Sequence, residues 1–274
     1  MKQSAPNAAA APTTRASPPW YGVLWLVARL FFRLNLGSRK ILWLAALLLV
    51  PLGLCTWWRF AEQGQAEPFF VEISVNLLLQ LFCLGLPLYL GVSAVRDEIE
   101  DRTITYLLVR PAGREAVLGG KVVSVVLVVS TWLLVGEAAS FLLVVSAGGG
   151  AALARSLPLL LRHALVLVAG AVVYTGLFSL FGLLLRRPLL LAIVYALGWE
   201  ATVSNLPGGL PRLTIMYYLK SLLGLGPQAE GVMSLLLPPL AAAGPATALA
   251  VLLAVMAVVY SAVFLVAGRK EYRL

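Results

Sequence analysis

The sequence predicts an all-α membrane protein, with an N-terminal interfacial amphipathic helix, six transmembrane helices, and short outer helices between the fifth and sixth. Three observations carry this expectation. Hydrophobic residues make up 61% of the 274 positions and charged residues only 12%, with a mean hydropathy of +0.92. A soluble domain carries roughly 25% charged residues, so the surplus apolar surface must face lipid. The apolar residues are gathered into runs near the ~20 residues that a helix needs to cross a bilayer. The basic residues flank those runs, which is how topology determinants are placed. The net charge of +9 is therefore read as membrane orientation and not as nucleic-acid binding.

Residues 1–19, rich in Ala, Pro, Ser and Thr, lack an apolar run and are expected to be a disordered cytoplasmic leader. No secretory signal peptide is expected there, because no uncharged apolar stretch follows Lys2. In 20–36, Trp20, Leu24, Val27 and Phe31 recur at helical spacing, with Arg29 and Arg33 on the other side, the pattern of a helix lying in the membrane interface. Six spans are expected over about 41–58, 70–95, 116–145, 157–185, 188–204 and 246–267, the third closed by Gly148-Gly149-Gly150. The whole of 20–274 reads as one transmembrane domain. Between the last two spans, 205–245 is interrupted by Pro207, Pro211, Pro227, Pro238-Pro239 and Pro245. Backbone breaks at membrane depth survive only where protein or water satisfies them, so this region reads as short outer helices, interfacial or re-entrant, over 214–225 and 232–240.

With the N-terminus in the cytoplasm and six crossings, 16 of the 21 basic residues fall on the cytoplasmic side. The outer side keeps Arg59, Arg155, Arg162, Arg212 and Lys220. That asymmetry predicts both termini inside.

Chemistry-bearing residues are few. Cys55 and Cys83 form no CxxC pair and no metal spacing, and read as ordinary buried thiols. The single histidine, His163, reads as a packed residue, and no Ser/His/Asp or Cys/His set can be assembled from the sequence. Asp97-Glu98 with Arg102 has the order found in certain intramembrane proteases, but those need further histidines to position a water. No cofactor and no catalytic activity are expected. A P-loop fails at two positions: Gly120-Lys121 is preceded by Glu115 where the first glycine belongs, and Val122 replaces the Ser or Thr. Glu137, deep in the third span, and Glu200, towards the outer end of the fifth, are intramembrane carboxylates, each a candidate functional group or a helix-holding hydrogen-bond partner.

The segment 96–115 is the polar exception. Nine of its 20 residues are charged, in both signs, so it must lie in water or against protein. After the acidic cluster Asp97, Glu98, Glu100 and Asp101, Thr103 can cap a short helix. Ile104, Leu107 and Leu108 share one face, and Pro111 and Gly113 end it. An acidic cluster is disfavoured beside anionic headgroups, which points to a protein partner.

The order Glu98, Thr103, Leu107-Leu108, Arg110-Pro111, Arg114 and Lys121 resembles the first cytoplasmic loop of type-2 ABC exporter permeases, and the layout of 20–274 is similar to theirs. Arg102 stands where many members have glycine. The resemblance implies a permease, an exporter by that likeness, that pairs with a second copy or a paralogue in the cytoplasmic membrane of a bacterium. A separate cytoplasmic ATP-binding subunit would dock on a coupling helix at 98–109. Glu98, Glu100, Thr103, Leu107, Leu108, Arg110 and Pro111 would supply the contact, while Arg114 and Lys121 would fix the start of the third span. Arg186-Arg187 would be a second cytoplasmic contact. Membrane lipid is the remaining expected partner. A scaffold or maturation component of the same fold, or a stand-alone carrier, stays open at this point.

Overall fold

The computed structural model describes residues 20–36, 39–61, 65–100, 114–206, 208–226 and 240–269, with backbone alone at 36, 39–42, 97–100, 114–115 and 269. The described residues are all helix, turn or irregular, with no strand among them. Helix α1 (Trp20–Leu36) precedes α2 (Arg39–Ala61). Next, α3 (Ala66–Glu72), a π-helical stretch (Ile73–Phe82) and α4 (Cys83–Glu100) form one rod. The long α5 (Arg114–Val145) meets α6 (Gly149–Leu184) through a 3-10 turn at Ser146–Gly148. Helix α7 (Pro188–Ile193) continues as a second π-helical stretch (Val194–Val203). A 3-10 turn (Leu210–Leu213), α8 (Ile215–Leu222) and α9 (Pro245–Arg269) complete the described chain.

Four stretches are long and apolar enough to cross a membrane: Trp43–Ala61, Ala66–Arg96, Ala116–Leu184 and Pro245–Gly268. The third holds 69 residues, or ~100 Å of helix if straight, more than three times the hydrocarbon core. It is not straight. Gly149 takes φ of +81°, open to glycine without a Cβ clash, and the chain doubles back there so that α5 and α6 pair side by side. Pro188–Val203 is a shorter apolar helix, six residues of α and ten of π. The helices overrun the apolar windows read from the sequence; α6 begins at Gly149 because Ala151, Ala152, Leu153 and Ala154 extend it with good helix formers. The expected helix over 232–240 lies almost wholly outside the described residues.

Helix α6 is the centre of the bundle, packed by α4, α5 and α9. Tyr174, Phe178 and Leu167 on it meet Leu79 of the first π stretch and Leu133 of α5, all essentially without exposure. Lipid tails are as apolar as leucine, so close backbone approach and hydrogen bonds have to hold such a bundle together. Tyr260 of α9 donates to the Val172 carbonyl at 3.0 Å, and Trp132 of α5 to the Leu44 carbonyl at 2.7 Å. Trp43, Phe60, Leu165 and Val258 point outward with large exposed apolar surfaces, the face offered to lipid.

Helix α1 packs along the start of α5. Its Leu24, Val27, Ala28 and Phe31 are at least partly buried, while Arg29 and Arg33 are exposed. Trp20 is exposed and does not share the packed face, and Trp25, Leu26, Leu30 and Leu34 are exposed along with the arginines. The apolar face read from the sequence is thus largely spent on α5, and the remaining surface is mixed.

Candidate functional site

The resemblance placed the contact surface on the segment joining α4 to α5. Thr103, Leu107, Leu108, Arg110 and Pro111 lie outside the described residues, as do the side chains of Glu98, Glu100 and Arg114, whose backbones close α4 and open α5. The flanks are described. Lys121 is nearly buried, its Nζ 4.4 Å from the centre of the Phe31 ring of α1. One residue earlier, a Cβ on Gly120 would stand 2.7 Å from the Leu24 carbonyl and 2.8 Å from Val27 Cβ. Only glycine lets the α1 backbone come this close, so α1 and the start of α5 are locked together. Beside them, Arg96 Nη1 donates to the Arg186 carbonyl at 2.8 Å and ties the end of α4 to the turn between α6 and α7. Arg186 and Arg187 are exposed there, and with Arg96 they line an open cavity of about 550 Å³.

The two intramembrane carboxylates are both fully buried, in different surroundings. Glu200 sits in the second π stretch, where the wider helical turn aims it inward. Its Oε2 accepts from Tyr174 Oη at 2.9 Å and from the Met216 amide at 2.9 Å. Its Oε1 accepts from Tyr195 Oη at 2.6 Å and from the Ile215 amide at 3.1 Å. Both oxygens are satisfied, and the two amides are the first of α8. Thr214 Oγ1 accepts from the third, Tyr217, at 3.3 Å. At the other end of α8, the Leu225 amide bonds the Lys220 carbonyl and the Gly224 amide the Ser221 carbonyl, with Gly224 at φ of +76°. Arg162 of α6 donates twice to the Leu222 carbonyl, at 2.9 and 2.7 Å. The carboxyl group satisfies the first amides of α8 and the guanidinium one of its last carbonyls, so both ends of the helix are capped from outside it. Lys220 donates to Gln80 of the first π stretch at 3.0 Å and to Asn205 at 2.8 Å.

Glu137 of α5 is less well provided. Ser74, on the first π stretch, donates to its Oε1 at 2.9 Å, while Oε2 has no hydrogen-bond partner among the described residues. Ser74 Oγ also lies 2.8 Å from His163 Nδ1 on α6. A hydroxyl has one hydrogen, so with Ser74 donating to Glu137 the imidazole must donate to Ser74 through Nδ1. The sequence alone assembled no Ser/His/acid set, and here the three residue types do meet. Their order differs from that of a nucleophile triad, because serine and not histidine is the central member, and Nδ1 stands 3.9 Å from Oε1. Phe70 and Phe141 wall the cluster, with ring centres 5.3 Å apart.

Three of the five basic residues assigned to the outer side have internal work. Arg59 donates to the Leu143 carbonyl and to Ser146, each at 2.8 Å, where α5 ends. Arg162 and Lys220 hold α8. Both cysteines are buried and free. Among the described residues, no group of three metal-ligating side chains comes together.

No curated protein sequence matches the chain. A family model described as ABC-2 family transporter protein matches residues 36–198, more than half of the 274, from the last residue of α1 into the second π stretch. Bundle architecture, apolar spans and this match agree: the chain belongs to the ABC-2 transporter family, as a membrane-embedded permease subunit whose partner is an ATP-binding subunit.

Proposed function

We propose that this permease is one half of an exporter in the cytoplasmic membrane of a bacterium, working as a dimer and driven by an ATP-binding subunit docked on residues 98–109. The chain crosses six times with both termini in the cytoplasm. The shorter α7 and the π stretch after it make the fifth crossing. ATP hydrolysis belongs to the partner, because the one P-loop-like stretch lacks its first glycine and its Ser or Thr. The observation that carries the reading is the arrangement around the junction of α4 and α5. The segment with the family's loop order joins these two helices, and α1 is clamped to the first turns of α5 through Gly120 and Lys121. A push on 98–109 enters α4 and α5 together, and α1 moves with α5. Central α6, packed against both, receives the motion.

Co-purification of the full chain with its ATP-binding subunit tests this. Leu107→Asp with Leu108→Asp is expected to reduce recovery of the partner at least tenfold while leaving the helical content unchanged, since two charges replace the apolar face. Undiminished recovery would place the docking surface elsewhere.

A further inference from the structure

Ser74 stands between two buried titratable groups on different helices. Its Oγ is 2.9 Å from Glu137 Oε1 of α5 and 2.8 Å from His163 Nδ1 of α6. All three residues are more than nine-tenths buried. Nδ1 is 3.9 Å from Oε1, beyond hydrogen-bond reach, so the serine hydroxyl is the link between them. The two hydrogen bonds can run either way. In one direction His163 Nδ1–H donates to Ser74, and Ser74 to Glu137 Oε1. In the other, Glu137 Oε1–H donates to Ser74, and Ser74 to a bare Nδ1, the ring keeping its hydrogen on Nε2. Both directions keep both bonds, and they differ by one proton. Chains of carboxylates and histidines inside membrane bundles serve as proton relays. The charged groups on the elements around the cluster are engaged or exposed. Arg59 of α2 bonds the Leu143 carbonyl, Arg162 of α6 bonds the Leu222 carbonyl, and Glu67 of α3 accepts from Ser156. Glu72 of α3 and Arg155 of α6 are exposed, while Cys55 of α2 is buried in the apolar cluster of Phe70 and Phe141.

We propose that Glu137, Ser74 and His163 form a proton-binding site, with His163 as the entry and Glu137 as the acceptor. A proton from water bonds His163 Nε2. The Nδ1–H bond then breaks as a new O–H bond forms on Ser74, and the original Ser74 O–H bond breaks as one forms on Glu137 Oε1. Glu137 ends as the neutral acid, and His163 ends neutral with its hydrogen on the other nitrogen. One positive charge has been taken up, and the reverse sequence returns it. Arg162, exposed and next in the chain, marks His163 as the member nearest to water. The site involves neither residues 98–109 nor the ATP-binding subunit, so it stands or falls apart from the proposed docking.

Infrared difference spectroscopy of the purified full chain tests this, with the proton as the probe and the pH cycled through the range where carboxylates and imidazoles titrate. A carboxylic acid C=O band is expected to appear on acidification, to shift in heavy water, and to be absent from Glu137→Gln. Ser74→Ala is expected to slow the heavy-water shift of that band at least ~tenfold, since it removes the hydroxyl that passes the proton on. His163→Phe is expected to slow it in the same way. Ser74→Thr, which restores a hydroxyl, is expected to recover the wild-type rate. A bridge that only holds helices together would lower the melting midpoint of Ser74→Ala and leave the exchange rate alone. The inference is overturned if no band both titrates and depends on Glu137. Exchange at the wild-type rate in Ser74→Ala, with the Glu137 band intact, overturns it as well. An unchanged circular dichroism spectrum confirms that each variant is folded.

Discussion

Glu200 and Glu137 are both carboxylates with no exposure in an apolar bundle, yet one is saturated with donors and the other is not. Glu200 takes four hydrogen bonds, two from tyrosines and two from the first amides of α8. Glu137 takes one from Ser74 and keeps a bare Oε2 among the described residues. A buried charge left without donors costs several kcal/mol, so the contrast separates a carboxylate that the fold depends on from one that the fold merely accommodates. Glu200 staples the second π stretch to α8. Glu137 keeps one oxygen without a donor among the described residues and reaches His163 only through Ser74.

The largest test of this contrast is Glu200→Ala. It strands two hydroxyls and two amides in the interior, and should cost about 3–5 kcal/mol. In detergent this would lower the thermal unfolding midpoint by roughly 10 °C. A wild-type midpoint would mean that α8 is held without its carboxylate. Next comes Ser74→Ala, which removes the shared partner of Glu137 and His163 and should cost about 1–2 kcal/mol, read by the same melt. No change there would show that the serine bridge contributes nothing to packing. The smallest effect belongs to Glu137→Gln, which keeps an acceptor for Ser74 and should shift the midpoint by no more than about 2 °C. A larger fall would put Glu137 in the same class as Glu200 and erase the contrast.

The four stretches long and apolar enough to cross were legible as continuous apolar runs, and Gly148-Gly149-Gly150 marked the reversal at the end of α5 for a local reason. The role of Glu200 was not legible. Its partners lie on α6, on its own π stretch and on α8, and nothing in Val194–Val203 announces a widened helix. The meeting of Ser74, Glu137 and His163 was hidden for a similar reason: the chain separations are 63 and 89 residues, and the register between helices decides which faces meet. The resemblance implied that Lys121 fixes the start of the third span; its packing on the Phe31 ring could only come from the fold. The docking segment is the reverse case. Its order of residues is plain in the sequence, and its side chains lie outside the described structure.

The caps of α8 have a mechanical consequence. Its eight residues make a strut of ~12 Å, fastened at one end to Glu200 in the second π stretch and at the other to Arg162 on α6. These two anchors cannot drift apart gradually, since a helix hardly stretches. Any rearrangement that widens this end of the bundle must swing the strut as a rigid link about one fastening or release it at the other, which makes opening here a discrete event with a threshold.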